Sequence, residues 1–152
     1  MSIPANFCLA LIQSYSQSSY KILKDFPYYE SLINDSYQKQ RCNLDLYFPE
    51  VIQNFLTIVL FRGSGLKRGL KAIPKELKEK GLDVVAFNYR LHPKVNAPEY
   101  IEDFVAAVAR VFKNKDQYGG DTSHIYVCRF SSGGYLSLMV TLDQKWLKEH
   151  SY

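Results

Sequence analysis

Cysteine and tryptophan are scarce in this chain, and long apolar runs are absent. The 152 residues include 3 Cys and 1 Trp. The cysteines show no CxxC spacing, so reduced and mostly buried thiols are expected rather than a disulfide framework or a zinc knuckle. The longest apolar run, Phe55 to Phe61, falls far short of the roughly 20 residues that a bilayer requires. No Lys or Arg precedes Lys21, and the apolar stretch from Phe7 to Ile12 is too short for a signal peptide. The sequence therefore predicts a cytoplasmic chain with no membrane span.

Acidic residues are also slightly outnumbered, but the basic excess does not predict a nucleic-acid surface. The net charge is +4, and the excess lies between Lys67 and Lys80. Leu70, Ile73 and Leu77 recur there at spacings of three and four, which predicts an amphipathic helix over 69–80 with its charges on a solvated face. No nucleic-acid partner is expected. Hydrophobic residues at 47% and charged residues at 22% indicate a globular domain rather than a disordered chain.

Glycine is missing from the first 62 residues. Since glycine marks tight turns and close backbone approaches, any site is expected in the second part of the chain. The pattern predicts a single, partial domain over residues 1–152. Within it, residues 1–40 form an N-terminal extension with weak helical character at 5–25.

The remaining segments alternate between strand and helix. The strands are predicted at 42–48, 55–61, 83–89 and 124–128, the helices at 69–80, 98–113 and 131–148, and a turn at Tyr118–Asp121. Such alternation is typical of an α/β fold with a mostly parallel sheet. Ligands bind beyond the carboxyl ends of the strands in such sheets. Two loops with glycines follow those ends, Arg62–Gly69 and Arg129–Gly134.

The second of these loops has the context of a nucleophile elbow. A strand runs directly into Ser131, Ser132 and Gly133, and a helix follows. A serine at such a corner presents its hydroxyl above the sheet, and the next amide faces the developing oxyanion. The alternative is that Ser131 is a helix N-cap followed by small residues that pack closely.

The first loop carries a glycine pair after a predicted central strand. Gly63 and Gly65 can present backbone amides to an anion or an oxyanion. The loop also matches a dinucleotide fingerprint loosely, but Asn88 stands where an acidic residue would bind the ribose. A P-loop is excluded because no GK[ST] follows.

Taken together, these segments resemble the α/β-hydrolase superfamily, in its carboxylesterase and hormone-sensitive-lipase-like branch that includes small acyl and feruloyl esterases. The resemblance runs from Asn43 to Asp143 and rests on an ordered set of motifs. They are LDLYFPE (44–50), VLFRGSG (59–65), GLDVVAFNYRLHP (81–93), PEYIEDFVAAVARVFKN (98–114), YGGDTSHIYVCRFSSGG (118–134) and YLSLMVTLD (135–143).

The resemblance implies a three-layer α/β/α fold and carboxylic ester hydrolysis through an acyl-serine intermediate, with a small acyl ester as substrate and no cofactor or metal. It places Ser131 at the nucleophile position. The amides of Gly63, Ser64 and Ser132 would then form the oxyanion hole. Arg90 and Asp103 match residues that brace the fold rather than act in catalysis.

The chain departs from the family pattern at three positions around this site. Arg62 replaces the histidine that opens the family loop, and Ser64 replaces its third residue, a glycine. Arg129 replaces the first glycine of G-x-S-x-G, a residue that is small because helix and strand pass closely there.

The triad order in this fold is Ser, then Asp or Glu, then His. Only Asp143, Glu149 and His150 follow Ser131 as candidates, and all lie on or just beyond the predicted helix, too far along it to return to the serine. We therefore expect a fold truncated before its C-terminal strands, nearly inactive alone. The last strand would be an exposed edge that favours self-association or a complementing chain. The alternative function is a non-catalytic interaction module.

Overall fold

The computed structural model describes residues 19–30, 35–63 and 65–131, with the backbone alone at 62–63 and 129–131. These residues form five strands and two helices. The elements are β1 (Tyr20–Pro27), α1 (Ser36–Arg41), β2 (Asn43–Pro49), β3 (Phe55–Gly63), β4 (Asp83–Phe87), α2 (Glu99–Asn114) and β5 (Gly120–Ser131), with 3-10 turns at Lys75–Leu77 and Lys115–Tyr118.

The five strands belong to one sheet in the order β1-β2-β4-β3-β5. β3 pairs in parallel with β4 on one side and with β5 on the other. β2 pairs antiparallel with both β1 and β4. Within the described residues, four strands therefore run in one direction and β2 runs against them. The predicted α/β class with a mostly parallel sheet is confirmed.

The core lies between this sheet and α2. β4 reads as a continuous apolar run because its residues are buried on both faces, and Val85 is 0% exposed. β3 is fully buried on the face that carries Val59, which is 0% exposed, whereas Leu56 on its other face is 38% exposed. α2 turns an apolar stripe toward the sheet, with Ile101 and Phe104 buried. The rings of Phe61 and Phe104 meet edge to face with centroids 4.7 Å apart, a favoured aromatic geometry. This packing fixes the carboxyl end of β3 relative to α2.

The predicted helix over 69–80 is wrong. The only helical piece there is the 3-10 turn Lys75–Leu77. Pro74 precedes it, and proline has no N–H to donate and disfavours helical geometry in the residue before it. Lys67, Lys75 and Lys78 are exposed as expected, but Lys71 is not, since its side chain is only 7% exposed.

The weak helical prediction for 5–25 is also wrong where the structure describes it, because residues 20–25 lie in β1. The register of β1 against β2 shifts between Leu23 and Phe26, and Asp25 there has φ 55°. Such a bulge interrupts the alternation of a strand, which explains why the sequence did not read as one. The predicted helix at 131–148 lies outside the described residues.

The two described cysteines differ in exposure. Cys42 is buried, as expected, whereas Cys128 is exposed on β5, so the expectation of buried thiols is wrong for Cys128. The consecutive residues Tyr126 and Val127 beside it are also exposed, so β5, at the edge of the described sheet, is exposed on both faces there. Neither described helix is long and apolar enough to cross a membrane.

Candidate active site

β3 and β5 end side by side at one edge of the sheet. Their parallel register pairs Arg62 with Phe130 and Gly63 with Ser131. Neighbouring strands lie about 4.8 Å apart, so the backbone at Gly63 and the backbone at Ser131 are adjacent. This is the carboxyl edge of the parallel strands, where α/β folds bind ligands.

Two of the four residues predicted for the site lie within the described part of the chain. Ser131 is the last residue of β5, which continues beyond the predicted end at Cys128. Gly63 is the last residue of β3. The structure brings these two residues together. Ser64 and Ser132 lie outside the described residues.

The chain that follows Gly63 turns sharply and attaches to the loop after β4. Gly65 and Leu66 have φ values of 64° and 60°, which is the left-handed region. Leu66 accepts a hydrogen bond from the amide of His92 at 2.8 Å. The β3–β4 loop and the loop after β4 therefore meet at the same edge of the sheet as Gly63 and Ser131.

A buried ion pair braces the loop after β4. Arg90 donates from Nε to Asp103 Oδ2 at 2.9 Å and from Nη2 to Oδ1 at 2.8 Å. The Arg90 amide also donates to Oδ2 at 2.9 Å, and Tyr29 Oη donates to Oδ1 at 2.7 Å. The side chain of Asp103 is fully buried. This bidentate ion pair agrees with the bracing role that the resemblance implied for Arg90 and Asp103.

Titratable groups near this brace are held in their neutral forms. Burial, together with the charge of the Asp103 carboxylate, raises the pKa of the Cys42 thiol to about 12. Burial raises the pKa of Tyr89 to about 12 as well. The Cys42 thiol is therefore buried and protonated near neutral pH, unlike the thiolate of a reactive cysteine.

The two histidines of the described residues have local partners. His124 Nδ1 lies 2.6 Å from Asp121 Oδ2 on the exposed start of β5. His92 Nδ1 lies 3.2 Å from Asn96 Oδ1 in the loop after β4. Since seven residues of extended strand separate His124 from Ser131, at about 3.3 Å each, that imidazole lies about 23 Å from the serine. The same described residues contain no cluster of three His, Cys, Asp or Glu that could hold a metal ion.

Comparison with family models identifies the family to which this chain belongs. The BD-FAE family model matches residues 44–151. The chain belongs to the BD-FAE family. The matched range covers β2 to β5 and therefore both strands that end at Gly63 and Ser131.

Curated relatives of this BD-FAE chain are esterases. A probable isoprenylcysteine alpha-carbonyl methylesterase of Oryza sativa subsp. japonica is 30% identical over 112 residues, which is 70% of this chain and 26% of the relative. The probable carboxylic ester hydrolase LipM of Mycobacterium tuberculosis is 38% identical over 80 residues, which is 52% of this chain and 19% of that protein. The chain thus spans about a quarter or less of these relatives.

Solved structures show the same fold. A truncated carbohydrate esterase from gut microbiota matches with a TM-score of 0.66 and 29% identity, over 79% of this chain and 42% of that one. Esterase B of Lactobacillus rhamnosis matches with a TM-score of 0.68 and 19% identity, over 96% of this chain and 50% of that one. The described sheet is therefore part of an α/β-hydrolase fold, as the sequence motifs predicted.

Sequence reasoning missed three polar residues that hold the β3–β4 loop: Arg41, Lys71 and Asn88. Lys71 was assigned to a solvated face, yet its ammonium contacts Asp45 Oδ1 at 2.8 Å. One signal was available. Asn43 and Asp45 are polar residues on the same face of the otherwise apolar strand β2, and a buried carboxylate usually has a cationic partner.

Proposed function

We propose that this chain carries the nucleophile and the oxyanion-binding amides of a carboxylic ester hydrolase. In the proposed reaction Ser131 Oγ attacks the ester carbonyl carbon while its proton passes to a base. The C–O bond to the alcohol then breaks, and the alcohol leaves with a proton. Water cleaves the acyl-serine in a second addition and elimination, which releases the carboxylic acid.

The pairing of Gly63 with Ser131 carries this proposal. A nucleophile elbow needs its serine at the carboxyl end of a strand, and Ser131 ends β5. An oxyanion hole needs backbone amides within hydrogen-bond distance of the developing charge. We assign that role to the amides of Gly63, Ser64 and Ser132, with the serine on one strand and the first amide on its neighbour.

The proposed reaction also needs a base, which neither described histidine supplies. His124 lies about 23 Å along its strand from Ser131, and the His92 ring is held by Asn96. We propose that the acid and the base come from residues outside those described or from a second polypeptide. A serine without a base is a weak nucleophile, so the described part of the chain alone should react very slowly.

The proposed substrate is a small acyl ester. The names of the relatives include a methylesterase, a carboxylic ester hydrolase and a carbohydrate esterase, and a carboxylic ester is common to all three. We further propose that residues 1–152 form a single partial hydrolase domain to which residues 1–40 are an extension. The cytoplasmic location stays a prediction from the sequence.

A fluorophosphonate probe tests the proposed nucleophile directly. We expect covalent labelling of the chain, loss of labelling in Ser131→Ala, and full labelling in Ser123→Ala, a matched control that changes an exposed serine of the same strand. Hydrolysis of a short p-nitrophenyl ester with the same dependence on Ser131 would show that a base is in place. Labelling that persists in Ser131→Ala would overturn the proposal.

A second candidate function is a non-catalytic interaction module. Its supporting observation is the edge strand β5, which pairs only with β3 among the described strands, while Tyr126 is 53% and Val127 is 38% exposed. Exposed apolar edges recruit other strands. Concentration-dependent association in light scattering, together with no labelling of Ser131, would favour this function. A monodisperse monomer that is labelled at Ser131 would exclude it.

A further inference from the structure

The β3–β4 loop has a conformation that its own sequence does not favour. Residues 65–74 form no helix, and no strand beyond an isolated bridge at Arg68. Leu66 has φ 60°, and an L residue in that region costs about 1–2 kcal/mol. Some other part of the molecule must therefore hold this backbone in place.

Three hydrogen bonds from outside the loop hold it. The His92 amide donates to Leu66 O at 2.8 Å, as described above. Arg41 Nη2 donates to Gly69 O at 3.0 Å. The Lys71 amide donates to Asn88 Oδ1 at 2.6 Å. The loop, which runs from the end of β3 to Asp83, is thereby held at three points in its first half.

The residues that hold Gly69 and Lys71 are themselves fixed by burial. Arg41 is 9% exposed and also donates from Nε to Tyr89 O at 3.0 Å. Asn88 is 8% exposed and directly follows β4. One guanidinium therefore joins the β3–β4 loop to the loop after β4. We call Arg41, Lys71 and Asn88 the loop clamp.

The side chain of Lys71 completes the clamp. Its ammonium lies 2.5 Å from Asp25 Oδ1 and 2.8 Å from Asp45 Oδ1, and it also contacts Asn43 Oδ1. Its hydrogen bond and charge lower the pKa of Asp25. These oxygens belong to β1 and β2, so Lys71 connects the loop to the antiparallel part of the sheet. A surface lysine with no such role would remain solvated.

We infer that the loop clamp positions the backbone at the carboxyl end of β3, where Gly63 lies next to Ser131, for oxyanion binding. The inference rests on the proposed function. Oxyanion stabilisation requires donors that are already in place before charge develops, and a displacement of about 1 Å can reduce a rate about 100-fold. Lys71 acts through the backbone and touches no substrate, so it is a positioning residue.

Lys71→Met in the full chain tests the inference, because methionine keeps the length of the side chain without its charge. We expect faster amide hydrogen exchange in residues 65–71 and unchanged exchange in β4. We also expect a fall of about 10- to 100-fold in kcat for a p-nitrophenyl ester, or in the rate of phosphonylation, with KM within about twofold. Lys113→Met is the matched control, since Lys113 pairs with Glu30 at 2.9 Å on the exposed side of α2.

The outcomes separate this inference from the proposed function. Lys71→Arg keeps a cation and should recover most of the protection and the rate. If Lys71→Met does not fold, the exchange of Lys71→Arg in residues 65–71 is compared with that of the wild type instead. Unchanged exchange in 65–71, or exchange that rises equally in β4, would overturn the inference. A wild-type chain that reacts with neither ester nor probe contradicts the proposed function, while the exchange measurement still decides whether the clamp orders the loop.

Discussion

The guanidinium of Arg90 binds the fully buried carboxylate of Asp103 through two hydrogen bonds, from Nε at 2.9 Å and from Nη2 at 2.8 Å. The pair joins the loop after β4 to α2. The Arg90 amide donates to the same carboxylate, and Tyr29 Oη adds a fourth donor from the segment after β1. Three separate parts of the chain therefore meet at a single carboxylate, so removal of the Asp103 charge should have a large structural effect.

Asp103→Asn should lower the free energy of unfolding by about 3–5 kcal/mol, because it leaves the Arg90 guanidinium buried without its counter-charge. The measurement is urea unfolding followed by circular dichroism. Glu30→Gln is the control, since Glu30 pairs with Lys113 but is half exposed, and exposed ion pairs contribute little. Equal effects of the two substitutions would contradict the bracing role of Asp103.

A second buried pair lies at the opposite end of the sheet, where β4 begins. Lys115 Nζ contacts Asp83 Oδ2, with side chains that are 1% and 0% exposed, and lies 4.6 Å from the centre of the Phe55 ring. Burial raises the pKa of Asp83 to about 6, although the Lys115 charge opposes the shift. Burial also lowers the pKa of Lys115.

Lys115→Met should destabilise the protein by about 3–5 kcal/mol at pH 7.5, where Asp83 would be left charged and unpaired. The loss should shrink at pH 5. The folded pKa of Asp83 exceeds its unfolded value of about 3.9, and the substitution removes a charge that lowers the folded pKa. In the variant, protonation of Asp83 therefore contributes stability that is complete below about pH 4 and is lost as the pH rises through a folded pKa above about 6. Urea midpoints at both pH values measure this effect.

The double variant Asp83→Asn with Lys115→Met removes both charges and should be less destabilised at pH 7.5 than Lys115→Met. A loss that is equal at both pH values would contradict the argument.

Gly120 leaves the space through which Lys115 reaches Asp83. A Cβ at Gly120 would lie 1.9 Å from Lys115 Cε, and that side chain cannot move aside without breaking the buried pair. Gly120→Ala should therefore cost about 1–3 kcal/mol or more, as overpacking does. Gly65→Ala is the control, because it meets no atom within 4 Å and suffers only from its φ of 64°. Thermal melting should show the larger decrease for Gly120→Ala, and the reverse order would exclude the steric explanation.

The sequence predicted the central strands well because both are runs of apolar, β-prone residues, with β4 buried on both faces and β3 buried on one. The predicted range 55–61 became Phe55–Gly63, and 83–89 became Asp83–Phe87. The segment 69–80 failed for a physical reason. Leu70, Ile73 and Leu77 have helical spacing, but Pro74 interrupts the hydrogen bonds that would continue such a helix. A prediction from hydrophobic periodicity alone does not take this effect of the proline into account.

The candidate site, too, could be predicted only in part from the sequence. Ser131 and Gly63 could be proposed from motifs, because each motif is local and each ends a strand. The loop clamp could not be proposed from motifs. Its residues Arg41, Lys71 and Asn88 come from separate segments, and their contacts depend on the order of the strands in the sheet. Charge on Lys71 predicts exposure in the absence of a partner, and its partner Asp25 lies 46 positions earlier in the chain.

Arg129→Gly should increase the reactivity of Ser131. Arg129 pairs with Phe61 two residues before the end of β5, at the position where the related elbow G-x-S-x-G has glycine. A large residue in a close crossing costs about 1–3 kcal/mol, and each 1.4 kcal/mol placed on the reactive geometry corresponds to about tenfold in rate. We therefore expect phosphonylation to accelerate by about tenfold. Lys113→Met removes one positive charge from the exposed side of α2 and should leave the rate unchanged. An equal acceleration in both variants would mean that net charge, rather than the geometry of the elbow, limits the reaction.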